Sequence, residues 1–256
     1  MAIDYTKRPK SQPAAAPSQP AAAPAQPAAP PAQPTQQQPY QQQPHQQQPP
    51  AQPYAPPVSL QKVTLSKSAP SVSLTKQGST AGHVRVNLNW AQSKGTLFRR
   101  SSGIDLDLAC LWEFTDGRKG IVQALGNAFQ APRQGQPIIY LDGDDRTGSA
   151  TGGENMYIDL SQSHLIRRIL IFAYIYEGTP NWASANGVVT LFPQSGPQIE
   201  VILDEAANGA PSCAIALLEN HNGELVINRE VRYIRGAQDL VDQAYGWGLD
   251  WKAGRK

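Results

Sequence analysis

From residue 58 onward, apolar and polar residues alternate with a period of two, the pattern of strands half-buried on one sheet face. Three short repeats open this part: V-S-L-Q-K at 58–62, V-T-L-S-K at 63–67 and V-S-L-T-K at 72–76. Val84, Val86, Leu88 and Trp90 then share one face of a strand, and Arg85, Asn87 and Asn89 the other. The most regular strand sets Ile104, Leu106, Leu108, Cys110, Trp112 and Phe114 against Asp105, Asp107, Ala109, Leu111 and Glu113. Asp116-Gly117 follows it as a hairpin turn signal. Further strands are expected at Pro137–Leu141, Met156–Leu160, Leu165–Tyr176, Val188–Phe192, Ile199–Leu203, Cys213–Leu218 and Leu225–Ile234, with a hairpin turn at Asn222-Gly223. Only Ala237–Tyr245 reads as helix. Many short strands punctuated by turns predict an all-β fold, a two-sheet β-sandwich with one short C-terminal helix, over residues 58–256.

Composition separates the first 57 residues from the rest. They hold 16 of the 23 prolines, 14 glutamines and 13 alanines. Such a stretch buries too little apolar surface to offset the entropy of ordering it, so residues 1–57 read as a disordered, partly polyproline-like tail rich in Pro, Gln and Ala. It serves as a spacer, or carries proline motifs for an aromatic groove. The remaining 199 residues suffice for one sizeable core.

Charge changes the picture little. From residue 58 there are 19 basic and 19 acidic residues, so no basic stripe argues for a nucleic-acid partner. The pairs Arg99-Arg100 and Arg167-Arg168 read as solvated surface. No apolar stretch follows Met1–Lys10 as a secretory signal would require, and the longest apolar run, Ile169–Tyr176, is too short to span a bilayer. With two cysteines and no C-x-x-C, a cytoplasmic protein with reduced thiols is expected.

The candidate chemistry is acidic. Asp105 and Asp107 project from one strand face with Cβ atoms about 6.6 Å apart. Two ionised carboxylates at that distance repel by about 2–3 kcal/mol at an effective dielectric near 20. A cation, a basic side chain or open solvent must offset this. The stretch Leu141–Asn155 adds Asp142, Asp144, Asp145 and Glu154 among four glycines and several hydroxyl oxygens. Calcium takes six to eight such hard oxygens, but the spacing is not that of an EF-hand. An ordinary turn with Arg146 paired to Asp144 or Asp145 fits the spacing as well, and so does a carboxylate pair doing acid/base work.

Gly143-Asp144-Asp145-Arg146-Thr147-Gly148 resembles the G-D-[ND]-[LR]-T-G signature of the TerD family, and Asp105-Leu106-Asp107-Leu108-Ala109 resembles that family's D-L-D-x-S/A element. The opening repeats, Val86–Trp90 and Gly236–Gly248 are also similar to family segments, so the resemblance covers about 58–250. It implies a calcium-binding, non-enzymatic β-sandwich of tellurite resistance and stress response, working with other tellurite-resistance proteins that include membrane-associated ones. The implied ligands are Asp105, Asp107, Asp144, Asp145 and Glu154, with carbonyls of Thr147 and Gly148. Thr151, Gly153 and Asn155 stand where family members carry acids. The departures imply one weak site in place of two, with a Kd of roughly 10⁻⁵ to 10⁻³ M, or a degenerate site. The long tail points to a TerA-like or accessory branch.

Other candidates carry less. His83, His164 and His221 lack metal-ligand spacing, and Cys110 reads as a core thiol. Tyr245, Trp247 and Trp251 read as the packing surface of the last helix, and Trp182 as a candidate for the rim of the acidic loops. Two other functions remain open: an adaptor whose tail recruits partners without metal, and a carboxylate-dependent hydrolase.

Overall fold

A strand with alternating side chains has one apolar face, and stacking two sheets on those faces removes both from water. The computed structural model describes residues 62–91, 104–132, 134–143, 152–178 and 180–251; the tail at 1–57 lies outside them. Early in the chain come β1 (Val63–Thr64), β2 (Ser71–Ser73), β3 (His83–Asn89), β4 (Asp105–Phe114), β5 (Lys119–Val122), β6 (Gln130–Ala131) and β7 (Ile139–Leu141). They are followed by β8 (Glu154–Asp159), β9 (Ile166–Glu177), β10 (Gly187–Phe192), β11 (Ile199–Leu203), β12 (Ser212–His221) and β13 (Glu224–Ile234). A seven-stranded sheet has the order β1-β11-β10-β3-β8-β7-β6, and a six-stranded sheet the order β2-β13-β12-β9-β4-β5. Strand pairs are antiparallel except β1 with β11. The fold is the expected two-sheet β-sandwich.

The alternation in β4 splits as the sequence pattern requires. Leu106, Leu108, Cys110, Trp112 and Phe114 enter the core between the sheets, whereas Ala109 and Leu111 join a second apolar cluster on the outer side of the six-stranded sheet. All ten β4 residues are buried. The outer face is dry because the C-terminal segment lies over it: helix α2 (Gln238–Tyr245, after a four-residue α1, Trp182–Ala185) and Trp247. Trp247 is buried and its indole Nε1 donates to Trp112 O at 3.1 Å. The helix stops at Gly246, which takes the left-handed conformation (φ +60°) that glycine adopts without a Cβ penalty. Buried Asp242 then accepts from Gly248 N, Leu249 N and Trp251 Nε1 at 2.7, 2.8 and 2.8 Å, which binds the chain end to the helix.

Arg167 is exposed as expected, whereas Arg168 corrects the reading as plain solvated surface. Their guanidinium groups each meet buried Glu113 at 2.7 Å, and the Arg168 guanidinium lies 3.9 Å from the Trp247 ring. Arg168 therefore couples β4, β9 and the C-terminal segment. The repeats also acquire a role. Lys62, Lys67 and Lys76 reach Glu200, Glu205 and Glu224 at 2.8, 2.9 and 2.9 Å. These lysines are exposed, so each pair contributes at most about 1 kcal/mol.

Most strand bounds fall within two residues of expectation. The sequence pattern does not mark β5 or β6, nor α1 and two 3-10 turns. The Asn222-Gly223 signal is sound: both residues have positive φ (54° and 93°), as a type I′ hairpin requires. No helix among the described residues is long and apolar enough to cross a membrane.

Candidate functional site

The site is built at the start of β4. Among the described residues β5 pairs with Cys110–Glu113, and Asp105–Ala109 pairs with β9 alone. On the other side the backbone N–H of Leu108 donates to the Glu154 carboxylate, at 2.6 Å to Oε2. Glu154 is the first residue of β8 and points inward with Met156 and Ile158. A carboxylate from one sheet thus satisfies a backbone N–H of the other.

The acidic stretch is the β7–β8 connection. Leu141 pairs with Met156, and Asp142 N donates to Asn155 O at 3.0 Å, which closes its base. Buried Asn87 of β3 holds the exit: its Nδ2 donates to Gly152 O and, at 2.9 Å, to Asn155 Oδ1. Arg85 adds a 3.0 Å bond to the same oxygen. Gly153 sits at φ +66°, and a Cβ there would lie 2.2 Å from Leu88 O. Gly153→Ala is therefore expected to destabilise the protein by about 2–5 kcal/mol, combining left-handed strain with a backbone clash. A urea midpoint unchanged from that of the natural chain would show that the exit is not fixed there.

Asp105 and Asp107 are 7 % and 4 % exposed, so open solvent does not offset their repulsion. The register adds a third acid: Asp105 lies directly opposite Glu177 across the β4–β9 ladder, next to an irregularity that skips Tyr176. Cross-strand partners have Cβ atoms about 4.5–5.5 Å apart, and like charges there are unfavourable. No sequence signal links residues 105 and 177; only the pairing does.

Asp105 and Asp107 share the outer face of the six-stranded sheet, whereas Glu154 reaches β4 from between the sheets. Among the described residues no three His, Cys, Asp or Glu side chains are arranged to hold a metal ion. Asp144, Asp145, Thr147 and Gly148 lie outside the described residues. The donor chemistry fits calcium: the candidate ligands are all hard oxygens, and the two buried aspartates supply the charge such an ion favours. Trp90 Nε1 donates to Ile104 O at 3.0 Å. These two residues flank the 92–103 sequence, which carries Lys94, Arg99 and Arg100, also outside the described residues.

Trp182 is no rim residue. It is fully buried, donates from Nε1 to Ala210 O at 2.7 Å and packs on Tyr233. Cys110 and Cys213 are buried, and desolvation pushes both thiols far above the usual range, which leaves them protonated and poor nucleophiles. A cavity of about 370 Å³ is lined by Ala206, Ala207, Asn208, Ala210, Tyr233 and Arg235, and by none of the candidate acids.

No family model matches the chain. The tellurium resistance protein TerA of Alcaligenes sp is 44 % identical over 205 residues, a match that covers 78 % of this chain and 60 % of that relative. The chain thus spans about three fifths of the length of the curated relative it matches. Two solved structures match part of the chain. A protein of unknown function, SAV2460, is matched over 69 % of this chain and 99 % of its own, with 15 % identity and a TM-score of 0.49. A homologue of the telluride resistance protein TerD, SCO6318 from Streptomyces coelicolor A3(2), is matched over 62 % and 94 %, with 22 % identity and a TM-score of 0.47.

Proposed function

Because the chain belongs to the TerD-like family of tellurium resistance proteins, we propose that it serves tellurite resistance as a calcium-binding protein that acts by binding and catalyses no reaction. The observation that carries this reading is the burial of Asp105 and Asp107 on one strand face. Like charges removed from water need a counter-charge, worth several kcal/mol, and a divalent ion supplies it at one point.

In this reading Asp105, Asp107, Asp144 and Asp145 provide the charge, and carbonyls of Thr147 and Gly148 provide further oxygens. Glu154 stands at the exit of the loop, where its carboxylate accepts from Leu108 N. The site is weak, since Gly153 is held to glycine by its conformation and the Asn155 amide oxygen is occupied by Asn87 and Arg85. The protein acts in the cytoplasm, in an assembly with other tellurite-resistance proteins near the membrane, and the tail at 1–57 recruits partners.

A second reading has its own observation. Trp90 and Ile104, which flank the basic 92–103 sequence, are bonded to each other next to Asp105, and Lys94, Arg99 or Arg100 of that sequence is a candidate to neutralise the aspartates with no metal. Thermal melting of the full chain separates the two. If calcium is the counter-charge, calcium at 100 times Kd stabilises by about 2.7 kcal/mol. That raises the melting temperature by roughly 5–10 °C over the value in chelator. Equal melting temperatures in both conditions favour the basic side chains.

A further inference from the structure

The Glu154 carboxylate is placed to hold the backbone of β4. Its Oε2 takes the Leu108 N–H at 2.6 Å, shorter than the roughly 2.7–2.9 Å usual for a charge-assisted N–H···O bond, and the residue is 3 % exposed. Leu108 immediately follows Asp107. Whatever fixes the Leu108 peptide also fixes where the Asp107 side chain leaves β4, because successive strand side chains alternate about a rigid backbone. The residues before Glu154 are equally constrained. Gly153 accepts no Cβ against Leu88 O, and Asn87 binds both Gly152 O and Asn155 Oδ1. Glu154 is thus held from behind by β3 and reaches forward to β4 in the other sheet.

We propose that Glu154 and Asn87 are positioning residues: together they tie the exit of the β7–β8 connection across the two sheets to Leu108, and so set Asp107 for the ion. This rests on the calcium reading and assigns roles within it. The two roles differ in what glutamine can replace. A positioning bond needs an acceptor oxygen at the right distance, which the glutamine amide supplies. A calcium ligand needs the negative charge, which it does not.

The test compares E154Q, E154A, N87A and D107N in the full chain by calcium calorimetry and by hydrogen exchange of the Leu108 amide. Positioning predicts that E154Q stays within about threefold of the natural affinity and keeps Leu108 protected. E154A and N87A lose about tenfold or more, and E154A exposes Leu108 to exchange at least tenfold faster. D107N loses affinity with Leu108 still protected. If E154Q loses as much affinity as D107N, Glu154 is a ligand and the assignment is overturned. Unchanged Leu108 exchange in E154A overturns it equally. Failure of the calcium reading looks different: the natural chain itself gives a flat titration, while Leu108 exchange still separates E154A from E154Q.

Discussion

Trp247→Ala is expected to remove about 3–5 kcal/mol of stability and to lower the melting temperature by roughly 6–20 °C, because this one indole closes the outer face of the six-stranded sheet. The indole is 1 % exposed, in the outer cluster of Ala109, Leu111, Leu170 and Phe172. Deleting it leaves a cavity too large to collapse without moving α2. It also strips Trp112 O of its donor and removes the ring that the Arg168 guanidinium rests on. With the ring gone, the Arg168 guanidinium on Glu113 becomes more exposed, and its contribution falls toward that of a surface pair. Chemical denaturation of the full chain reads this directly. A loss below about 1 kcal/mol would mean that the C-terminal segment does not keep the outer face of β4 dry.

Asp105→Asn carries the second large effect, and its sign is diagnostic. If calcium is the counter-charge, neutralising Asp105 in chelator relieves its repulsion with buried Asp107, so stability rises by about 1–3 kcal/mol. Calcium affinity falls at least tenfold, so the variant is the more stable protein without calcium and the less responsive one with it. If Lys94, Arg99 or Arg100 neutralises Asp105 instead, the same substitution strands a cation. The variant then loses about 3–5 kcal/mol in chelator. Urea unfolding with and without calcium gives both signs in one experiment.

The contrast between these two predictions shows what a sequence makes legible. The division of β4 into an inner row at Leu106, Leu108 and Cys110 and an outer row at Asp105, Asp107 and Ala109 follows from its period-two pattern, and both rows are where that pattern puts them. The Asn222-Gly223 turn is readable because its residues alone favour positive φ. The burial of Ala109 and Leu111 is not readable, since it depends on a C-terminal segment more than a hundred residues later folding back over the sheet. The opposition of Asp105 and Glu177 and the clamp of Glu113 by Arg167 and Arg168 likewise exist only through strand register. Trp182 misleads for a related reason. Its flanking Asn, Pro and Gly suggest an exposed loop, yet a four-residue helix carries the indole into the core. β5 escapes a pattern reading because Lys119 and Gly120 interrupt its apolar run, and its strand form comes from pairing with β4.

For the candidate site, residue types alone identify Asp105 and Asp107, and the structure adds that they are out of water. It also adds Asn87 and Gly153, which carry no charge and offer no chemical signal, as the residues that fix the loop exit.

Titration of the full chain with calcium in a calorimeter tests the central claim most directly. A saturable heat with a dissociation constant of roughly 10⁻⁵ to 10⁻³ M, lost in Asp105→Asn, is the predicted result. A featureless titration up to about 10 mM calcium, ten times the weakest affinity expected of such a site, would contradict it.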